Sequence, residues 1–252
     1  MKKIVLMIIT VLVALGSVNA SANHIPVLLY HDVQQQYEPD RAVITVTPER
    51  FDEHIAALLK NGYTPISFED AYKASMGKFV MPENPIIITF DDGYLTNYTY
   101  AFPIIQKYKA KTTIFVVTET VGKTTGNPHF TWEQARIMQQ SGLVSIQSHT
   151  NSHTDLLTMN SYEIEREIRL SKYLIEKNLG TECDFLAFPF GSCNNEIVNS
   201  AYKAGYKIVS QVGETGENTL TDITSNPLVR ITVYGSWTGD DLIMMINELA
   251  KQ

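Results

Sequence analysis

The sequence lacks clusters of basic residues, internal repeats, low-complexity tracts and an evident domain linker. It has 20 Lys and Arg against 27 Asp and Glu, which gives a formal net charge of −7. An acidic chain without a basic patch is a poor candidate for binding nucleic acid or an anionic membrane surface. A neutral partner such as a glycan fits this charge better. The 252 residues, 44% hydrophobic and 19% charged, indicate one globular α/β domain.

Long apolar runs are also scarce, and the one that stands out lies at the N-terminus. Two lysines precede the apolar residues 4–15, and small residues follow at 20–22. This pattern predicts a secretory signal peptide over residues 1–22 and an exported domain, periplasmic or extracellular, over residues 23–252. An uncleaved membrane anchor is the alternative, although the run is short for a full span. No second segment is apolar enough to cross a bilayer, so we expect no stable membrane insertion after cleavage.

Cysteine is rare, since the sequence holds only Cys183 and Cys193. The two flank a predicted strand over residues 185–188. In an oxidising compartment they can form a disulfide, and the alternative is a pair of buried free thiols. The sequence does not give their separation in space, so both alternatives stay open.

Strand-like and helix-like patterns alternate along the rest of the chain. We predict strands at residues 26–30, 64–66, 85–90, 112–117, 144–147, 185–188, 208–212 and 229–233. We predict helices at residues 47–61, 67–74, 98–108, 131–142, 162–178, 195–204 and 240–249. This order implies parallel strands joined by right-handed crossovers. Seven or eight such units indicate a (β/α) barrel, complete or incomplete.

Two short stretches place metal-ligand side chains directly after predicted strands. Residues 89–93 read Thr-Phe-Asp-Asp-Gly, and residues 149–153 read His-Thr-Asn-Ser-His. Active sites in these folds lie at the C-terminal ends of the strands. His149 and His153 are four residues apart, a spacing that places both rings on one side of a helical turn. Two imidazoles and a carboxylate can hold one divalent metal and leave positions open for water and substrate.

Asp91 and Asp92 are adjacent, so their side chains must diverge. One can bind the metal while the other takes a proton from the reacting water. Alone, each motif has a simpler explanation, because a His pair is usually a surface patch and an Asp pair can form an Asx turn before Gly93. Two such motifs in equivalent positions favour the metal site.

Together the two motifs resemble those of the polysaccharide deacetylase family, also called the NodB-homology domain or carbohydrate esterase family four. Weaker similarities occur at residues 26–31, 142–143, 188–191, 204–206 and 229–231, so the resemblance covers nearly all of the predicted mature chain. It implies an α/β fold of that family's type, a distorted and incomplete (β/α) barrel. It also implies removal of acetyl groups from N-acetylated sugars.

The resemblance further implies roles for individual residues. Asp92, His149 and His153 would bind the metal, with Zn²⁺ as the default and Co²⁺, Ni²⁺ or Fe²⁺ also suited to this donor set. Asp91 would be the general base. Phe190 stands where the family usually has Tyr, and its backbone N–H would help to bind the oxyanion. That role needs only main chain, so the change from Tyr does it little harm.

Two departures from the family pattern leave roles open. Many members supply the leaving-group proton from a C-terminal Leu-x-His motif, but none of the six histidines follows His153. His31 is our candidate donor, and the alternatives are a structural His31 or proton transfer by Asp91. The family's Arg before its Pro-Tyr motif is replaced by Ala187. Arg230 is the candidate partner for Asp91, with an ordinary surface ion pair as the alternative.

Aromatic side chains offer candidate sugar-binding surfaces. Tyr234 and Trp237 follow the last predicted strand and can stack on a sugar ring, although Trp237 fits a core position equally well. Weaker candidates are Trp132, Tyr94 and Phe130. The other histidines, which carry no predicted role, are His24, His54 and His129.

We therefore expect an exported, metal-dependent deacetylase of an N-acetylated glycan. Peptidoglycan and a poly-N-acetylglucosamine exopolysaccharide are the leading substrates, and the two departures favour the second by resemblance alone. The alternatives are a non-catalytic glycan-binding protein and a metal-dependent hydrolase of a small amide or ester. Asp91 argues against a pure binder, which has no use for a second carboxylate. The oligomeric state stays open.

Overall fold

The structure is a computed structural model that describes residues 24–36, 41, 43–213 and 218–249. The predicted signal peptide, residues 1–22, lies outside the described residues. The strands are β1 Val27–Tyr30, β2 Asp32–Val33, β3 Thr45–Val46, β4 Thr64–Ile66, β5 Pro85–Phe90, β6 Thr112–Val116, β7 Val144–Ser148, β8 Phe185–Ala187, β9 Ile208–Val212 and β10 Leu228–Thr232. The α-helices are α1 Pro48–Lys60, α2 Phe68–Ser75, α3 Phe102–Tyr108, α4 Trp132–Gln140, α5 Ser161–Leu179, α6 Asn195–Lys203 and α7 Gly239–Leu249.

Seven parallel strands close into a barrel. Their order is β1-β10-β9-β8-β7-β6-β5, and β1 pairs with β5 to complete the ring. β4 pairs with the first half of β5 and extends the sheet outside the ring. The seam between β7 and β8 is short, and Ser148 pairs with Leu186 there. The prediction of a distorted, incomplete (β/α) barrel is confirmed, because the ring has seven strands where a full (β/α) barrel has eight.

The strands are apolar along most of their length because both of their faces are buried. In β5 all six residues are buried. Ile86 and Ile88 belong to the large cluster beneath the helices, whereas Ile87 belongs to a separate cluster that includes Val27 and Phe115. Side chains alternate between faces along a strand, so Asp91 continues the row of Ile87 toward the barrel interior.

Three of the helices begin with a capping box. At the start of α4 it is formed by Thr131 and Gln134. α2 and α5 begin with the same arrangement. β2 and β3, which pair through Asp32 and Thr45, were not predicted. Strands of two residues are too short to produce a periodic pattern.

Both cysteines are free thiols, so the structure does not contain the disulfide that export would allow. Cys183 is buried, and burial raises the pKa of its thiol to about 12. Cys193 is half-buried and donates to Gln211 Oε1 at 3.3 Å. Within the described residues, no helix is both long and apolar enough to span a bilayer.

Candidate metal centre

The two predicted motifs meet at the C-terminal end of the barrel. Asp92 lies just after β5, and His149 and His153 lie after β7, with β6 between those strands. One ligand atom from each of the three residues lies within 4.8 Å of the others. The Nε2 atoms of His149 and His153 are 3.7 and 3.3 Å from Asp92 Oδ1. The structure thus brings together the three side chains that the sequence assigned to a metal.

The surroundings of His149 fit metal binding. Its Nδ1 lies 2.8 Å from the carbonyl oxygen of Ala187, so Nδ1–H donates, and the lone pair of Nε2 faces Oδ2 of Asp91 and Oδ1 of Asp92, 3.5 and 3.7 Å away. Burial lowers the pKa of His149, even though the nearby Asp91 and Asp92 charges act to raise it. A neutral imidazole is the form that binds metal. His153 keeps 31% of its side chain exposed, so one side of the centre is open to solvent.

Residues 149–153 do not form the helical turn on which the four-residue spacing was interpreted. The segment is an irregular loop in which Thr150 and His153 have positive φ angles of 67° and 59°. Left-handed residues cannot continue an α-helical turn. The two imidazoles still converge, with ring centroids 4.9 Å apart. The four-residue spacing therefore identified two histidines that do lie side by side, but an irregular loop brings them together and not a helical turn.

Asp91 forms a buried, bidentate ion pair with Arg230. The Nη1 and Nη2 atoms of Arg230 donate to Oδ1 and Oδ2 of Asp91 at 2.6 and 2.7 Å. Arg230 is 0% exposed, so this is not the surface pair that was the alternative. Burial acts to raise the pKa of Asp91, but the charge of Arg230 and its hydrogen bonds outweigh this effect. The pKa is held well below the usual range of a carboxyl group.

His31 lies beside Asp91. It follows β1, in which Tyr30 is opposite Phe90, and the N–H of Asp91 donates to the Tyr30 carbonyl oxygen at 3.0 Å. The His31 charge is one of the influences that lower the pKa of Asp91. Residues 29–31 read Leu-Tyr-His, so the Leu-x-His spacing missing from the C-terminal part of the chain is present at the end of the first strand.

Phe190 is placed at the rim by a one-turn 3₁₀ helix, Pro189–Gly191, that follows β8. Its backbone is left-handed, with a φ of 59°. Its ring is 65% exposed and meets the His153 ring edge-on at 4.7 Å. Gly191 is needed next in the turn, because a Cβ there would lie 2.6 Å from the backbone N of Val212. The main chain of Phe190 is thereby held beside the metal centre.

Among the aromatic candidates for sugar binding, Tyr234 has the most exposed side chain. It is 40% exposed and packs edge-on against the half-buried Trp237, with ring centroids 5.1 Å apart. His54, which carried no predicted role, anchors this loop because its Nε2 lies 2.8 Å from the Trp237 carbonyl oxygen. Its Nδ1 is 3.1 Å from the Tyr30 hydroxyl. Phe130 is fully buried and so cannot serve as a sugar-binding surface.

The chain is similar in sequence to known polysaccharide deacetylases. The family described as "Polysaccharide deacetylase" matches residues 79–209. YxkH of Bacillus subtilis (strain 168) is 32% identical over 193 residues, which cover 77% of this chain and 64% of that protein. A poly-beta-1,6-N-acetyl-D-glucosamine N-deacetylase of Escherichia coli (strain K12) is 27% identical over 80% of this chain. The chain spans only 36% of that protein's length.

Solved structures share the fold. The Streptococcus pyogenes deacetylase PplD in complex with acetate superposes with a TM-score of 0.78 at 27% identity, over 88% of this chain and 97% of that one. BC0361, a polysaccharide deacetylase from Bacillus cereus, gives 0.75 at 26% identity, over 88% and 69% of the two chains. IcaB from Ammonifex degensii gives 0.76 at 22% identity over 91% and 98%, a likeness of fold alone.

Proposed function

Because this chain belongs to the polysaccharide deacetylase family, we propose that it is an exported, metal-dependent enzyme that hydrolyses N-acetyl groups of a glycan. The observation that carries the proposal is the divergence of two adjacent carboxylates. Asp92 turns toward His149 and His153, while Asp91 is buried against Arg230. A protein that only binds glycan has no need for the second carboxylate and its buried partner.

Asp92, His149 and His153 would hold the metal, with Zn²⁺ as the default. Such an ion acts as a Lewis acid on the acetyl carbonyl and lowers the pKa of bound water. The donor set fits this role, because the Ala187 contact leaves the Nε2 lone pair of His149 free. The exposed side of His153 leaves room for the substrate.

Asp91 would act as the general base. Arg230 keeps its carboxylate ionised and fixes its plane, and each carboxylate oxygen retains a further lone pair after accepting one N–H. Asp91 Oδ2 lies 3.5 Å from His149 Nε2, so a water held beside the metal ligands is within its reach. Removing a positioned general base typically lowers a rate by about 10²- to 10⁴-fold.

Two further groups complete the proposed reaction. The Phe190 backbone N–H would donate to the developing oxyanion, and one such donor typically contributes about 3 kcal/mol. His31, next to Asp91 at the end of β1, would give a proton to the leaving amine. These assignments put a base, an acid and an oxyanion donor around a single centre.

We propose poly-β-1,6-N-acetylglucosamine as the preferred substrate. Relatives that carry this activity in their names match 80% and 65% of the chain. The acidic composition, with a net charge of −7 and no basic cluster, also suits an uncharged polymer better than an anionic one. Export is supported by the pattern of residues 1–22.

Acetate release from purified residues 23–252 tests the proposal. We expect turnover of β-1,6-linked N-acetylglucosamine oligomers, slower turnover of chito-oligomers and peptidoglycan, and loss of activity with a chelator that is reversed by Zn²⁺ or Co²⁺. Binding of the oligomers without acetate release under any metal would favour the glycan-binding alternative. Turnover of a simple acetyl ester without any acetylated sugar would favour the small-substrate hydrolase.

A further inference from the structure

The loop of residues 149–153 rests on a buried carboxylate from α5. Glu167 is 8% exposed, and its Oε2 accepts hydrogen bonds from the backbone N–H groups of Asn151 and Ser152 at 3.0 and 2.7 Å. Carboxylates are rarely buried to this degree without a partner. Here its partners are main-chain N–H groups of the loop that carries both histidines, and such charge-assisted hydrogen bonds are stronger than neutral ones.

The backbone conformation of the loop explains why it accepts an anion. The two donors lie between the left-handed residues Thr150 and His153. Successive N–H groups next to left-handed residues form a concave site that binds negative charge. In this structure the carboxylate of Glu167 occupies that concavity.

The opposite side of the loop is fixed by the segment that follows β6. The N–H groups of Thr118 and Glu119 donate to the carbonyl oxygens of Thr150 and Asn151 at 3.2 and 2.9 Å. The Thr118 hydroxyl also donates to Asn151 Oδ1 at 2.9 Å. The loop is therefore held between α5 and this segment, with Glu167 as its contact on the α5 side.

A second residue of α5, Ser171, supports the loop of residues 149–153 from one helical turn after Glu167. The Ser171 hydroxyl lies 2.7 Å from the Ser148 hydroxyl, which accepts the N–H of Thr150 at 3.1 Å. Glu167 and Ser171 are both buried on the face of α5 that packs on β7. Two polar side chains on an otherwise apolar face indicate that this face also supports the loop.

The two histidines do not depend on this support equally. His149 has its own anchors, since its N–H donates to the Val116 carbonyl at 2.9 Å and its Nδ1 contacts Ala187. His153 follows the Glu167-bound residues directly and is partly exposed. Its position is therefore set mainly through the main chain of residues 151 and 152.

We propose that Glu167 is a positioning residue of the metal centre. By holding the main chain of Asn151 and Ser152, it brings His153 to the same side as Asp92 and His149. The inference rests on the proposed metal site, and it adds to that site a residue from a helix that carries neither motif.

The test measures metal binding without substrate. The Zn²⁺ or Co²⁺ dissociation constant is obtained by competition with a chromophoric chelator for the wild type, Glu167→Gln, Glu167→Asp and the control Glu165→Gln. Glu165 lies on the same helix but is exposed and paired with Arg169. We expect about 10- to 100-fold weaker binding for both Glu167 variants, as for other groups that orient metal ligands, and no change for the control.

Hydrogen exchange of the metal-free proteins gives a second, local readout. We expect faster exchange in the peptide that covers residues 149–153 of both Glu167 variants, with the exchange of the barrel strands unchanged. Unchanged metal affinity would overturn the inference, and so would weaker binding without faster exchange of this loop. If the wild type binds no metal, the proposed function fails, while loop exchange still decides whether Glu167 holds the loop.

Discussion

Asp91 and Asp92 show how neighbouring residues of the same type acquire different chemistry. Asp92 has a left-handed backbone, with a φ of 69°, which turns its side chain toward the two imidazoles. Asp91 continues the inner row of β5 and is clamped by Arg230. The difference between the roles therefore comes from backbone conformation and partners rather than from the side chain.

We predict that Asp91→Asn retains bound metal and loses turnover, whereas His149→Ala loses both. The first change removes a proton acceptor that is not in the three-residue cluster, and the second removes a ligand. Metal content after dialysis and acetate release measure the two effects. An equal loss of metal in both variants would mean that the carboxylate roles are assigned wrongly.

Arg230→Met should shift the acid limb of the pH profile of kcat/KM to higher pH. Arg230 lowers the pKa of Asp91, so its contribution to stability is present above the ordinary carboxyl pKa and is lost as the pH falls through the lower folded-state value. With Met, burial dominates and raises the pKa of Asp91. Leaving a buried charge unpaired typically costs about 3–5 kcal/mol of unfolding free energy, measurable with denaturant. Arg230→Lys keeps the charge, and an acid limb identical in Met and Lys variants would contradict the argument.

Thiol titration distinguishes the two cysteines. In the native protein we expect Cys193 to react slowly and Cys183 not at all, because Cys183 is fully buried and its pKa is about 12. In denaturant without reductant, both thiols should react. Detection of none in denaturant would mean that the protein forms the disulfide instead.

The proposed metal ligands could be predicted from sequence, because two histidines and a pair of aspartates follow strands within short motifs, although the choice of Asp92 over Asp91 came from the family resemblance. The role of Glu167 could not. It contacts the loop from a helix with no motif of its own, and the contact depends on how α5 packs on β7. His31 is an intermediate case, since its Leu-x-His spacing is visible in the sequence but only the pairing of β1 with β5 places it beside Asp91.

At the scale of elements, the helices were predictable because each buries a periodic apolar face, and most barrel strands were predictable because burial on both faces gives a short continuous apolar run. In β5 the apolar run and the Asp-Asp-Gly end mark both the strand and its boundary. β2 and β3 have no such signal, and their pairing depends on tertiary contacts. The backbone conformation of residues 149–153 could not be predicted for the same reason. Its left-handed residues are stabilised by contacts with Glu167 and Thr118, which are distant in sequence.

The turn after β8 gives a prediction with a matched control. Gly191 and Gly180 both have a φ of 70°, but an added Cβ would meet Val212 only at Gly191. Gly180→Ala should cost about 1–2 kcal/mol for the left-handed backbone and leave turnover unchanged. Gly191→Ala should cost more and reduce turnover while metal binding persists, because the turn that carries Phe190 must move. Denaturant unfolding and acetate release measure both, and equal effects in the two variants would contradict the role of this turn.

At the scale of the whole molecule, the first strand closes the barrel. β1 lies between β10 and β5, and all four of its residues are buried. We predict that a chain beginning at residue 23 unfolds cooperatively like the full chain. A chain beginning at residue 32 should not, because the ring is left open. Circular dichroism during urea unfolding measures this, and cooperative unfolding of the shorter chain would show that closure by β1 is dispensable.

Both described ends of the chain lie on the side of the barrel away from the metal centre. His24 precedes β1 and pairs with Thr219 there. α7 runs back from the centre, so that Asn247 accepts a hydrogen bond at 3.3 Å from the hydroxyl of Tyr63, which lies just before β4. A solid support attached at residue 24 or residue 249 would therefore lie on the side of the barrel opposite the proposed metal-binding face, which would stay open to solvent.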